Sequence, residues 1–182
     1  MRIFKQWVLA IVLYLAMVVE GILSVYLHQF MFIGKSLQAS LMILPVAVTV
    51  IGFEDERNTK EFWLALAFGV IADLYFYGII GIYAVGLPFL SAFGRWFSRI
   101  FPELFIIRLI GVCIGTSIFS IYTWAILKIL TWTAAGWKDA LNSVLFTLIW
   151  TIITTILTYW LWALMARKYP FLSNSDNYTY TF

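Results

Sequence analysis

The sequence predicts an all-α membrane protein, one bundle of six transmembrane helices with both termini on the cytoplasmic side. Three observations lead there. The 182 residues are 63% hydrophobic and 12% charged, with a mean hydropathy of +0.94, whereas a soluble domain is nearer half apolar and a quarter charged. A soluble chain this small would expose much of the excess to water. The apolar residues also fall into six runs, at about 7–30, 37–53, 62–77, 81–97, 104–127 and 141–166, each near the length that a bilayer core takes in helical form. Finally, the cations are unevenly placed. With the N-terminus inside, the inner side receives nine (Arg2, Lys5, Arg57, Lys60, Arg95, Arg99, Arg108, Arg167, Lys168) and the outer side three (Lys35, Lys128, Lys138). That bias favours N-in and, for six spans, C-in.

Each element has its own justification. Arg2 and Lys5 precede the first apolar run, but no A-x-A-like cleavage site follows, so it reads as a retained span and not a signal peptide. Gly34, Lys35 and Ser36 separate the first two spans, and EDERNTKE (54–61) reads as an aqueous loop. The stretch 62–97 is too long for one span, and a tight glycine turn at 78–81 divides it into two short ones. Arg95, Arg99 and Pro102 mark the next junction, and Lys128 to Asp139, with Gly136, the last. Pro45 and Pro88 are expected to kink the second and fourth spans. Trp124, Trp132 and Trp137 gather near the proposed outer surface, as interfacial anchors do. Residues 1–170 then form one transmembrane domain, and 171–182 a short polar cytoplasmic tail, expected to be disordered.

Function classes narrow accordingly. The net charge of +3 sits at the ends of apolar runs and speaks to topology, not to nucleic acid. Cys113 has no partner for a disulfide. One His and one Cys make no metal cluster of the usual kinds, and no G-x-S-x-G, H-E-x-x-H or P-loop occurs. No catalytic residue, metal or cofactor is assigned, and the chain is not expected to be an enzyme.

Polar residues inside the spans need a partner or a purpose, because each ionisable one costs roughly 2.5–3.5 kcal/mol to insert. Asp73 lies in FGVIADLYFYGIIGIYAVG (68–86), with Gly69 four residues before it on the same helical face and Gly78 and Gly81 after it. A structural pin or partner contact is preferred over a proton or cation site, since no second intramembrane acid is close in sequence. Glu20, Ser24 and His28 repeat every four residues and could line a cavity or part of a proton relay. Arg108 is expected by default to snorkel to the inner surface, pairing with an acid being the other course. It opens a stripe with Gly111 and Gly115, a small-xxx-small packing face. Ser143, Thr147, Thr151 and Thr155 make a hydroxyl stripe that bonds its own helix or forms a seam with another.

Gly69-x-x-x-Asp73, then Gly78 and Ile80-Gly81-Ile82-Tyr83-Ala84, resembles the G-x-x-x-D…G…L-G-x-x-A segment of the rod shape-determining protein MreD family. Ile80 replaces the usual Leu, and Tyr75-Phe76-Tyr77 stands where small residues are common. The resemblance implies a non-enzymatic scaffold of the bacterial elongation machinery in the cytoplasmic (inner) membrane. Its implied partners are the bitopic protein MreC and, through it, a RodA-type glycosyltransferase with its class B penicillin-binding protein and, indirectly, MreB. It also implies a fold similar to the substrate-binding subunits of energy-coupling-factor transporters, in which six helices enclose a pocket. A vitamin-binding subunit of that kind is the alternative function. Such subunits carry an A-x-x-x-A motif in the first span, which is lacking here: Ala10 is followed at i+4 by Tyr14, and Ala16 by Glu20. A proton-coupled carrier using Glu20, His28 and Asp73 is a weaker third reading.

Overall fold

A computed structural model describes residues 2–27, 32–33, 37–38, 40–54, 60–169 and 171. Six helices occupy them: α1 (Arg2–Tyr26), α2 (Ile43–Glu54), α3 (Lys60–Phe76), α4 (Tyr83–Ile100), α5 (Phe105–Ile129) and α6 (Trp137–Lys168). Between α1 and α2 the strands β1 (Phe32–Ile33) and β2 (Leu37–Gln38) pair antiparallel, Phe32 opposite Gln38. Among the described residues three segments are long and apolar enough to cross a membrane: Trp7–Tyr26, Phe105–Ile129 and Trp137–Lys168.

The second apolar run departs from expectation. Leu37 and Gln38 belong to β2, and the helix starts only at Ile43. Pro45 therefore falls in the first turn of α2, where its missing N–H would be unbonded anyway, and it is placed to start this helix, not to kink it. Every residue from Ile43 to Phe53 is buried, because α2 packs against α1, α4, α5 and α6. A helix apolar on all sides belongs at the centre of a bundle, and α2 is that centre. Pro88 does lie inside α4, where it offers no N–H to the carbonyl of Ala84.

Around this pillar the outer helices turn apolar rows outward. Ile110, Ile114 and Ile118 of α5 are exposed at every fourth position, as are Leu145, Ile149 and Ile153 of α6, so each row lies along one helical face. Leu157 and Trp160 are 75% and 77% exposed. In lipid such faces carry no penalty.

α2 and α4 cross closely through a pair of glycines absent from the sequence-based candidates. A Cβ built on Gly52 would lie 2.8 Å from the Ser91 carbonyl oxygen, and one on Gly94 would lie 2.7 Å from that of Thr49. Backbone cannot give way as a side-chain tip can. Gly94→Ala is therefore expected to destabilise the protein by about 1–3 kcal/mol, read as a lower midpoint when the purified chain is heated in detergent and its remaining monodisperse fraction is followed.

Candidate functional site

The residues of the family-like signature meet at the α3–α4 junction. α4 begins at Tyr83 with Ile82 in the capping position, and Ile82 has no side chain that can cap. The first amides of a helix have no partner of their own, and here the preceding helix supplies one. The Asp73 carboxylate accepts the backbone N–H of Gly81 at 2.7 Å, Tyr83 at 2.6 Å and Ala84 at 2.9 Å. A carboxylate at a helix N-terminus also opposes the helix dipole favourably. The same residue closes its own helix, its carbonyl accepting the N–H of Tyr77 at 3.0 Å and of Gly78 at 2.8 Å.

The glycines make this geometry possible. Gly78 and Gly81 take φ values of +70° and +142°, which side chains other than hydrogen rarely tolerate. Gly69 allows the close approach: a Cβ there would stand 2.4 Å from the Tyr83 carbonyl oxygen and 2.7 Å from the Ala84 Cα. From α5, the Tyr122 hydroxyl donates to the Gly81 carbonyl at 2.8 Å and ties the turn to the bundle.

The end of the bundle that holds this junction also holds a cavity of about 490 Å³. Glu20 and Ser24 line it, as do Ser143 and Thr147; His28 lies outside the described residues. Glu20 is 2% exposed and accepts the Leu44 N–H at 2.6 Å, joining α1 to the start of α2. Ser24 donates to Gly21 within its own helix at 2.8 Å. The hydroxyl stripe of α6 divides along its length. Thr147 accepts the Ser40 N–H at 3.1 Å, whereas Thr155 donates back to the Thr151 carbonyl at 2.6 Å. Thr151 is fully buried, and among the described residues its hydroxyl finds no hydrogen-bond partner. Trp124 and Trp137 meet edge-to-face at 5.4 Å beside the cavity.

The opposite end is ionic, and two expectations are corrected there. Residues 54–61 are not simply an aqueous loop: Glu54 is the last residue of α2, its side chain 3% exposed, and Glu61 is a buried member of the first turn of α3. Nor does Arg108 snorkel. Its guanidinium is buried and paired through Nη1 with Glu54, and it donates to the Tyr159 hydroxyl at 2.9 Å. Arg167 donates to the other Glu54 oxygen at 2.5 Å from an exposed position. An acid this close makes pairing cheaper than stretching to the surface. Glu103 stands 3.6 Å from Arg108 Nη2, outside hydrogen-bond range, so among the described residues that nitrogen is buried without one.

Gly111 and Gly115 serve this end differently from the expected close helix seam. Gly111 faces the rings of Phe97 and Phe53, with a built Cβ at 2.8 and 3.0 Å, and Gly115 faces Leu90 and Phe93. They are hollows for side chains, not backbone crossings. The expected tail is also shorter than drawn, since Phe171 is buried against Trp7 with rings 5.7 Å apart; residues 172–182 lie outside the described ones, as do Lys35 and Arg57. Among the described residues no group of three or more His, Cys, Asp or Glu is placed to hold a metal ion.

Comparison with family models, curated proteins and solved structures finds no match to this chain.

Proposed function

We propose that the protein is an MreD-like scaffold of the bacterial cell-elongation complex, a non-catalytic six-span bundle of the cytoplasmic membrane with both termini inside. One observation carries this reading. Gly69, Asp73, Gly78 and Gly81 all act in a single junction: Asp73 caps α4, Gly69 admits the α4 backbone, and Gly78 and Gly81 take the positive φ of the turn. A signature that assembles into one device is better evidence than the same letters scattered over a fold. The device fixes α4 to α3 by three hydrogen bonds, and a scaffold requires its partner-facing helices to be held in place. The outward apolar rows of α5 and α6 offer faces to lipid and to a single-span partner helix alike.

The test is capture of the intact chain in native lipid discs, followed by mass spectrometry of what accompanies it. The expected companions are a single-span protein with a coiled coil, of the MreC kind, and a RodA-type glycosyltransferase with its class B penicillin-binding protein. The cavity is the observation that favours the second reading, a vitamin-binding transporter subunit. Recovery of paired ATPases with a membrane coupling subunit, or of a tightly held vitamin, would transfer the assignment to that reading.

A further inference from the structure

The cavity has a chemical character of its own. Its aromatic lining is continuous and centred on Tyr83, whose ring stacks on Phe76 at 5.6 Å, leans on Tyr77 at 6.1 Å and meets Phe119 edge-on at 5.1 Å. Two carboxylates, Glu20 and Asp139, line the same space. Glu20 is held in place by the Leu44 N–H at 2.6 Å and lines the same space as Tyr83, so an acid and an aromatic ring share one wall. Asp139 is fixed by accepting the Gly136 N–H at 3.1 Å at the start of α6. Among the described residues the lining contains no lysine, arginine or histidine. Lys128 stands nearby but is exposed, and its ammonium donates to the Ala135 carbonyl at 3.0 Å.

These features select by charge. The volume falls within the range of small-molecule sites, and the hydroxyls of Ser120, Thr123 and Ser143 give polar surface beside the rings. A carboxylate or phosphate ligand would stand among acidic side chains and find no basic group among these residues. An ammonium group would meet the negative faces of the rings and an oriented carboxylate, the combination that recognises organic cations. We propose that this cavity binds a small organic cation, its positive centre against Glu20 and over the Tyr83 aromatic wall. The inference stands on the cavity and is separate from the elongation-complex reading, so either can fail without the other.

Three probes of one ring size and different charge decide it: benzyltrimethylammonium, benzyl alcohol and benzoate. Each is titrated into the full chain in lipid discs by calorimetry, with tryptophan fluorescence as a second readout. Saturable one-to-one binding is expected for the ammonium alone, weakened about tenfold or more in Glu20→Gln. Because Glu20→Gln alters a packed position, Asp139→Asn provides a second variant whose amide oxygen can still accept the Gly136 N–H, and it too should bind the ammonium more weakly. Equal binding of benzyl alcohol, any preference for benzoate, no saturable ammonium binding by the unaltered chain, or unchanged affinity in both folded variants would each overturn the proposal.

Discussion

Asp73→Leu is expected to cost the protein on the order of 3–5 kcal/mol, because three backbone amides lose their acceptor at once and each buried orphan costs about 1–3 kcal/mol. Those of Tyr83 and Ala84 are buried, while that of Gly81 is half-buried and recovers part of its loss. The leucine side chain is no smaller than the aspartate, so the loss is of bonding and not of volume. Asp73→Asn should fall between the two, since one carbonyl oxygen still accepts while the amide nitrogen faces donors. Heating the purified chains in the same lipid, with proteolysis at the 77–82 turn as a local readout, gives the order: unaltered, then Asn, then Leu. A leucine variant as stable and as protease-resistant as the unaltered chain would show that α4 needs no cap from α3. If the scaffold assignment holds, the same variant should also lose its single-span partner without any change in a chemical turnover.

Glu54→Leu carries the other large effect, about 3–5 kcal/mol, the typical result of leaving one member of a buried ion pair alone. Among the described residues Arg108 would keep only the Tyr159 hydroxyl and an exposed Glu103 beyond hydrogen-bond distance. The control is built into the same cluster. Arg167→Ala removes an exposed partner of Glu54 and should shift stability by less than about 1 kcal/mol. A double variant, Glu54→Leu with Arg108→Met, should recover most of the loss, because an apolar pair of similar volume incurs no charge desolvation. If the double variant is no better than Glu54→Leu alone, the loss comes from packing and not from the stranded guanidinium.

The six helices were legible from apolar runs and their punctuation, and the predicted ends of α3 to α6 lie within a few residues of those observed. What misled was a rule applied too locally. EDERNTKE looked aqueous because its charges are consecutive, yet Glu54 and Glu61 flank the group and each continues a helix into the interior. Arg108 was the available clue: a cation within an apolar run implies an acid at the same depth, and Glu54 directly follows the second apolar run. The start of α2 was obscured for the opposite reason. Its run is apolar from Leu37 onward, and hydropathy alone does not distinguish strand from helix.

The candidate site divides along the same line. Gly69 and Asp73 share a helical face and could be paired by spacing, whereas the donors that Asp73 meets lie eight to eleven residues on, across a reversal. The cavity was half legible: Glu20 and Ser24 followed from a four-residue repeat, but Tyr83 is set by the α3–α4 turn and Thr123 by the packing of α5. Gly52 and Gly94 were overlooked because each is a single small residue in a different helix, and only the crossing shows that they meet.

α6 has 32 residues and is therefore about 48 Å long. The hydrocarbon layer is about 30 Å thick, and absorbing the excess by tilt alone would take roughly 50°, beyond the range of transmembrane helices. Measured against the whole membrane with its headgroups, about 45 Å, the same helix fits at an ordinary inclination of about 20°. Trp137 and Lys138 then rest among the headgroups of one leaflet, and Arg167 and Lys168 among those of the other. α6 is thus long enough to gauge the full thickness of a membrane, while α2, buried on every side, is free to be short.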